Sequence, residues 1–197
     1  MYTSMADTLS IKVIVGSTRQ GRFSDKPAAW IAQLAQKRDG LAVEILDLRE
    51  YPLPFYDDPT PPSLIKDGAY ANAEARRFAQ KIAEADGFII VTPEYNRGPS
   101  AVLKNALDSV SREWNNKPVA FVAHGATLGV RAIEQLRMNA IELRMAPVRD
   151  IVALPGSWTF EGGGTAPGSF AEHEAAGETL LDTLAWWARA LKAARTA

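Results

Sequence analysis

Cysteine is absent from this chain of 197 residues, and histidine occurs only twice, as His124 and His173. Without cysteine the chain can form no disulfide, no thiolate nucleophile and no iron–sulfur cluster. A zinc site would need carboxylates in most of its ligand positions, which is unusual in proteins. We therefore expect no metal site and no cysteine-based catalysis.

Neither sign of charge dominates: Lys plus Arg number 22 and Asp plus Glu number 23, for a net charge of −1. This balance does not suggest nucleic acid or an anionic membrane as a partner, and a nearly neutral surface permits self-association. Long apolar runs are also missing, since residues 88–91 are far too few to span a bilayer. Residues 1–10 lack the regions of a signal peptide, so we expect a cytoplasmic protein with a flexible tail at 1–9.

The chain does contain a regular alternation of short apolar runs with helical patterns. Strands are predicted at residues 11–15, 42–48, 88–92, 119–123 and 148–154. Helices are predicted from about Ser24, at 73–84, at 102–110, from Val130 to Ala140 and around 180–191. A proline-rich loop is expected at 52–62 and a glycine-rich loop at 162–168. No linker or repeat divides the sequence, so we expect a single domain over residues 1–197.

Five strands that each precede a helix predict an α/β fold whose parallel sheet is covered on both faces. The right-handed crossover rule favours a doubly wound, flavodoxin-like sheet of five strands in the order 2-1-3-4-5. Such a sheet binds its ligand beyond the carboxyl ends of strands one and three, where the winding direction switches. The loops that follow the strands therefore carry the prediction of function.

The loop after the first strand, residues 16–24, reads GSTRQGRFS and runs directly into a helix. Backbone N–H groups, hydroxyls, arginines and the helix dipole together suit a bound phosphate. Ser24 is the candidate N-cap of that helix, with Pro27 in its first turn. The loop matches neither the Walker motif nor the G-x-G-x-x-G fingerprint. The alternative is a plain polar loop capped by Ser24.

Two further loops follow buried strands. Residues 92–100, TPEYNRGPS, form a turn between two prolines that can present the ring of Tyr95 and amide groups to a flat heteroaromatic ligand. Residues 124–129, HGATLG, are small enough to let a ring edge approach the backbone. The alternatives are a surface turn with a solvated tyrosine, and an ordinary loop in which His124 satisfies a local hydrogen bond.

These motifs resemble those of the NAD(P)H-dependent FMN reductase family, flavodoxin-like enzymes that include quinone, azo and chromate reductases. The likeness covers roughly residues 11–154. It rests on the first loop, with Gly16-Ser17-Thr18-Arg19, Gly21, Phe23 and Ser24. The sequences TPEYN at 92–96, LKNALD at 103–108 and GVRA at 129–132 also contribute.

The resemblance implies an FMN-dependent oxidoreductase that passes hydride from NADPH or NADH through the flavin to a small-molecule acceptor, by a ping-pong mechanism. Free flavin, quinones, azo compounds and metal oxyanions are the acceptor classes of such enzymes. The cofactor supplies the hydride chemistry, so we expect no catalytic side chain. The resemblance also implies a homodimer or homotetramer. Trp114 is a speculative interface residue, and core packing is the alternative for it.

The resemblance also implies three groups of residues that contact FMN. The phosphate group of residues is Ser17, Arg19, Arg22 and Ser24, with Phe23 in the same loop. The ring group is Pro93, Glu94, Tyr95 and Asn96. The group at the pyrimidine end of the ring is Gly125, Ala126 and Thr127.

Two other functions share this predicted topology. A flavodoxin-type electron carrier would bind FMN without oxidising NAD(P)H, but such carriers tend to be strongly acidic and lack the PEYN sequence at the second loop. A receiver-type signalling domain would need clustered acidic residues after the first strand, where this chain has Gly16 and Ser17. The reductase is therefore the favoured hypothesis.

Overall fold

A computed structural model describes residues 8–156 and 169–196 of the chain. The predicted glycine-rich loop at 162–168 and residues 1–7 of the predicted tail lie outside these described residues. Within them, strands and helices alternate. The strands are β1 (Leu9–Val15), β2 (Leu41–Asp47), β3 (Gly87–Pro93), β4 (Pro118–His124) and β5 (Ala146–Leu154). The α-helices are α1 (Asp25–Gln36), α2 (Ala73–Ala83), α3 (Ala101–Ser109), α4 (Val130–Glu142) and α5 (Glu174–Thr196). Short 3-10 helices span Leu48–Glu50, Pro62–Leu64, Arg112–Trp114 and Ser169–His173.

The five strands form one sheet in the order β2-β1-β3-β4-β5, and every pair of neighbours is parallel. The predicted flavodoxin-like topology is confirmed. Because β1 continues to β2 on one side and the chain then returns to β3 on the other, the winding direction switches between β1 and β3. The loops after β1 and β3 therefore meet at one edge of the sheet.

Several strands extend beyond their predicted bounds because backbone pairing continues past the apolar run. β1 begins at Leu9, which pairs with Leu41 and whose N–H donates to the carbonyl of Gly40 at 2.9 Å. The prediction of a tail that reaches residue 9 is therefore wrong at its end. β3 includes Pro93 as its last residue, where proline removes only one ladder donor.

Helices cover both faces of the sheet and create two apolar layers. On one face, α2, α3 and α4 pack residues such as Phe78, Leu107 and Ile133 against the sheet. On the other face, α1 and α5 contribute residues such as Ile31 and Leu184. No helix in the described part of the chain is both long and apolar enough to cross a membrane.

Trp114 belongs to the core of this chain. Its side chain is fully buried, its ring lies 4.8 Å from that of Phe88 and 6.0 Å from that of Phe78, and its indole N–H donates to the carbonyl of Val110 at 3.1 Å. The hypothesis that Trp114 lies at a subunit interface is therefore wrong, and core packing is confirmed. Trp187, which belongs to the predicted closing helix, is 38% exposed.

We expect Trp114→Ala to lower the free energy of unfolding by about 3–5 kcal/mol, because it removes apolar contacts and leaves a cavity. The control is Leu64→Ala, since the Leu64 side chain is 65% exposed. This control should change the free energy of unfolding by less than about 0.5 kcal/mol. Urea unfolding followed by circular dichroism measures both values, and equal losses would contradict this description of the core.

Candidate functional site

Three loops meet at the carboxyl edge of the sheet, because the strands that precede them are neighbours. Val15 pairs with Val91, so β1 and β3 end close together, and Pro93 pairs with His124 at the end of β4. The N–H of Glu94 donates to the carbonyl of His124 at 2.9 Å, which continues the ladder into the loops. The predicted site residues therefore come from adjacent positions along one edge.

The Arg22 side chain is buried behind the first loop and forms ion pairs with two carboxylates, Asp25 and Asp47. Its Nη1 donates to the carbonyl oxygen of Ser17 and to Oδ1 of Asp47, the latter at 2.7 Å, and its Nε donates to Oδ1 of Asp25 at 2.7 Å. Its side chain is only 3% exposed. Its charge is already balanced by two carboxylates, and this placement argues against the predicted phosphate contact. We expect Arg22 to shape the loop from below.

Ser24 precedes α1 as predicted, but its hydroxyl does not cap the helix. Instead, Oγ of Ser24 and Nε2 of His124 are hydrogen-bonded at 2.8 Å, and both side chains are buried. The ring of Phe23 meets the ring of His124 edge-on, with centroids 5.0 Å apart. The prediction of Ser24 as a capping hydroxyl is therefore wrong, because a partner on β4 takes the hydroxyl. These three side chains fasten the first loop to the end of β4.

The outer part of the first loop leaves donors exposed at the N-terminus of α1. Thr18, Arg19, Gln20 and Gly21 are all exposed. Within residues 8–156 and 169–196, no acceptor takes the backbone N–H groups of Thr18, Gln20 or Gly21, and no carboxylate lies within 4.0 Å of the Arg19 guanidinium. Free N–H groups and an uncompensated cation at a helix N-terminus favour an anionic ligand.

A tight turn presents Tyr95 and Asn96 beside this loop. The backbones of Tyr95 and Gly98 exchange two hydrogen bonds at 2.9 and 3.0 Å, and the two residues between them, Asn96 and Arg97, have φ values of 49° and 71°. Oη of Tyr95 lies 3.1 Å from Oγ of Ser17, a hydrogen bond that joins the turn to the first loop. The predicted phosphate and ring residues are therefore in direct contact at this point.

Glu94 connects the second loop to the third. Its Oε1 accepts hydrogen bonds from the Thr127 hydroxyl at 2.8 Å and from Arg131 Nη1 at 3.0 Å, and its Oε2 accepts the Arg131 backbone N–H at 3.2 Å. Burial raises the pKa of the Glu94 carboxyl, but the bonds from Thr127 and Arg131 outweigh it, so this pKa lies below its ordinary value. The N-cap of α4, Gly129, has no side chain that could accept a backbone N–H of the first turn. The Glu94 carboxylate takes this role by accepting the N–H of Arg131.

The third loop lies close against Glu94. A Cβ atom added to Gly125 would come within 3.2 Å of Glu94 Cβ, so a larger residue would press on its neighbour. Ala126 is exposed at the tip of the loop, and Thr127 is half-buried. The structure thus brings Gly125, Ala126 and Thr127 to the predicted edge, next to the second loop.

A cleft of about 460 Å³ opens where the first loop, the Tyr95 turn and α3 meet. This size falls within the range of ligand pockets. Its lining residues are Ser17, Thr18, Arg19, Leu53, Phe55, Tyr95, Ser100, Ala101, Val102 and Asn105. Pro93, Asn96 and the third loop are not part of this lining. A second cavity, of about 300 Å³, lies under the proline-rich segment and shares Leu53 and Phe55 with the cleft.

Several residues that support this site were not predicted from the sequence. Ser100 caps α3 by accepting the N–H of Leu103 at 3.2 Å, and its hydroxyl donates to the carbonyl of Gly16. A serine directly before a helical pattern is a recognisable cap signal. Asn105 donates to the carbonyls of Leu53 and Pro54 at 3.2 and 2.9 Å and so anchors the proline-rich segment. No sequence signal reveals that contact, because its partners are about fifty residues away.

No group of three or more histidine, aspartate or glutamate side chains that could hold a metal ion occurs in residues 8–156 and 169–196. The described edge offers N–H groups, hydroxyls, arginines, the carboxylate of Glu94 and the aromatic rings of Tyr95 and Phe55. This set of groups suits an organic ligand with a phosphate and a flat ring.

Comparison with known proteins gives consistent relatives for this chain. The family described as "NADPH-dependent FMN reductase" matches residues 9–159. The sequence is 37% identical over 150 residues to an NAD(P)H-dependent FMN reductase of Schizosaccharomyces pombe, covering 75% of this chain and 74% of that protein. It is 38% identical over 140 residues to a 2-hydroxy-1,4-benzoquinone reductase of a Burkholderia species, covering 68% and 69% of the two chains.

Among solved structures, the fold is similar to that of FerB, an NAD(P)H:(acceptor) oxidoreductase from Paracoccus denitrificans. The TM-score is 0.72 at 24% sequence identity, and the match covers 92% of this chain and 98% of that one. This similarity concerns the fold alone.

The buried His124 gives the fold a pH dependence that can be measured. Burial lowers the pKa of His124 to about 4, whereas an unfolded chain protonates near pH 6.5. As the pH falls, the unfolded chain binds this proton first, so the contribution of His124 to stability is present above pH 6.5 and decreases toward pH 4. We expect the native state to lose about 2 kcal/mol from this group between pH 7.5 and pH 5.

Urea unfolding at several pH values, compared between wild type and His124→Gln, isolates this contribution. His124→Gln should show a shallower dependence of stability on pH over that interval, because glutamine does not titrate. Parallel slopes for wild type and His124→Gln would show that His124 is not held neutral in the folded protein.

Proposed function

Because this chain belongs to the NADPH-dependent FMN reductase family, we propose that it transfers hydride from NAD(P)H through FMN to a quinone or another small acceptor. The chain is an oxidoreductase, and FMN and NAD(P)H are its cofactor and reductant. The identity of the acceptor, the kinetic mechanism and the residues that hold the flavin are the proposed parts. Free flavin, azo compounds and metal oxyanions are the other acceptor classes that this proposal includes.

The observation that carries the proposal is the set of exposed, unpaired donors in the first loop, beside the cleft. Uncompensated Arg19 and the free N–H groups of the first loop supply charge and donors for one phosphate. The cleft begins at this point and extends past Tyr95 along α3. FMN has a phosphate at one end and a flat ring at the other, so a phosphate in the first loop would bring the ring to Tyr95, which lines the same cleft.

We place the isoalloxazine ring against Pro93, Glu94, Tyr95 and Asn96, with its pyrimidine end toward the loop of Gly125, Ala126 and Thr127. The hydrogen bond between Ser17 and Tyr95 positions the Tyr95 turn, and the hydrogen bond from Thr127 to Glu94 positions the third loop, before any ligand binds. A site whose parts are already positioned loses less conformational entropy when it binds.

When bound, FMN would supply the hydride-transfer chemistry of the reaction. The protein then has to hold the flavin, expose one ring face and orient each substrate against it. No cysteine exists in the chain to act as a nucleophile. We propose a ping-pong mechanism, in which NADP⁺ leaves before the acceptor enters, since both substrates use the same exposed face.

A quinone is the acceptor that we favour. One relative is named a 2-hydroxy-1,4-benzoquinone reductase and others are named quinone reductases. A flavodoxin-type electron carrier is the second candidate, and the nearly neutral charge of −1 does not fit the acidic docking surface of such carriers. Oxidation of NADPH in the presence of a quinone distinguishes the two functions.

We further propose that the protein is a cytoplasmic homodimer or homotetramer. Apolar side chains on two helices support self-association, since Met138 and Ile141 of α4 and Trp186 of α5 are all more than half exposed. The near-zero net charge places little electrostatic repulsion between copies. Light scattering at micromolar concentration measures the assembly state.

We expect Arg19→Ala to weaken FMN binding by about 1.5–3 kcal/mol, roughly 10–150-fold, because it removes a charge-assisted hydrogen bond to the phosphate. Riboflavin lacks the phosphate and provides the matched control ligand. Its affinity should be nearly the same in wild type and variant. Fluorescence titration of both flavins measures these values, and an equal loss for FMN and riboflavin would mean that Arg19 does not contact the phosphate.

The proposed reaction predicts a specific pattern in stopped-flow experiments. Anaerobic mixing of the FMN-loaded protein with NADPH should bleach the visible flavin absorbance, and a quinone added afterwards should restore it. Steady-state rates should give parallel double-reciprocal lines when NADPH is varied at several quinone concentrations, as a ping-pong mechanism requires. Intersecting lines would exclude that mechanism, and flavin that NADPH fails to bleach would favour the electron carrier.

A further inference from the structure

Arg97 occupies a backbone conformation that favours glycine. It is the second of the two central residues in the turn from Tyr95 to Gly98, with φ at 71°. Turns with positive φ at both central positions prefer glycine, asparagine or aspartate there, because a Cβ atom crowds the backbone. Asn96, the other central residue, satisfies that preference, but Arg97 does not.

Contacts with α4 maintain this crowded backbone conformation of Arg97, and the Arg97 side chain is exposed to solvent. The carbonyl of Arg97 accepts a hydrogen bond from Nε2 of Gln135 on α4 at 2.8 Å, and the side chain of Arg97 is exposed. A Cβ atom at Gly98 would come within 2.8 Å of Gln135 Oε1, so the turn and α4 pack closely here. Unfavourable backbone conformations that the surrounding structure maintains are concentrated at functional sites.

The charges of the other arginines at this edge are largely compensated. Arg22 pairs with Asp47 and Asp25, Arg131 pairs with Glu94, and Arg49 lies 4.0 Å from Asp25. The two exceptions are Arg19 and Arg97. In the described ranges 8–156 and 169–196, neither has a carboxylate within the 4.0 Å that defines an ion pair.

Two uncompensated arginines, one in the first loop and one in the turn from Tyr95 to Gly98, suit two ligands that each carry phosphate. Arg19 belongs to the loop assigned to the FMN phosphate. Arg97 is a central residue of the Tyr95–Gly98 turn and directly follows Asn96, the last residue assigned to the ring, so a molecule that stacks on the ring and extends beyond it would reach Arg97. A nicotinamide dinucleotide is such a molecule, since its phosphates lie away from the nicotinamide that must contact the flavin.

We propose that Arg97 binds a phosphate of the nicotinamide dinucleotide and thereby sets the affinity for the reductant. This inference rests on the proposed function, in which NAD(P)H reduces the flavin. The phosphate is either the 2′-phosphate, which only NADPH carries, or the pyrophosphate, which NADPH and NADH share. Arg97 is a binding residue for the reductant and takes no part in proton or hydride transfer.

The test compares Arg97→Gly with Arg144→Gly. Arg144 is an exposed arginine with φ at 54°, it has no ion pair within the described residues, and it lies just before β5, at the opposite end of the sheet. Both substitutions remove one charge and one crowded Cβ atom. We expect each variant to keep the wild-type melting temperature or to exceed it by about 2 °C.

Only Arg97→Gly should raise the KM for NADPH, by about tenfold, because one charge-assisted contact is lost. Arg97→Lys should recover most of this loss, since it keeps the charge. The affinity for FMN, measured by fluorescence titration, should not change. An unchanged KM for NADH in Arg97→Gly would identify the 2′-phosphate as the partner, and an equal rise for NADH would identify the pyrophosphate.

Calorimetric titration with NADP⁺ and NAD⁺ provides a readout that is independent of turnover. Wild type and Arg144→Gly should bind NADP⁺ equally, and Arg97→Gly should bind it about tenfold more weakly. Unchanged NADP⁺ affinity in Arg97→Gly, or a parallel loss of FMN affinity, would overturn the inference. A wild-type protein that fails to oxidise NAD(P)H would contradict the proposed function, and the titration would still decide whether Arg97 binds the dinucleotide.

Discussion

Parallel pairing of β1, β3 and β4 is the constraint on which the site depends. Val15 lies opposite Val91, and Pro93 lies opposite His124, so the three strands end within a few residues of one another in register. Side chains that are far apart in sequence therefore meet without any long excursion of the chain. Hydrophobic helices on both faces leave the carboxyl edge as the place where polar groups can remain accessible.

Hydrogen bonds and ion pairs behind the three loops fix the positions of these loops relative to one another. Three pairs join a loop to an element that is distant in sequence, and each has at least one largely buried partner. They are Arg22 with Asp47, Ser24 with His124, and Glu94 with Arg131. The members of each pair satisfy one another, whereas Arg19 and the backbone N–H groups beside it are exposed and have no such partner in the described part of the chain. The buried pairs thus define the shape of the loops, while the exposed groups remain available for a ligand.

The sequence predicted the order of elements and the sheet topology because β-branched runs and helical spacing are local signals. It also located the three loops, since each follows an apolar strand. It did not predict the roles of Arg22 and Ser24 within the first loop. Both look locally like phosphate or capping groups, but Asp47 and His124, which lie 25 and 100 residues away, take their hydrogen bonds. Contacts at such separations depend on the folded topology and leave no trace in a local pattern.

The central claim is that FMN binds at this carboxyl edge, with its phosphate in the first loop and its ring beside Tyr95. A crystal structure of the protein soaked with FMN tests this claim most directly. The account predicts the phosphate within hydrogen-bond distance of the Arg19 guanidinium and the backbone N–H groups of Thr18, Gln20 and Gly21, and the ring in contact with the turn at 93–96. Flavin density in the cavity under the proline-rich segment, or a ring that does not touch this turn, would contradict it.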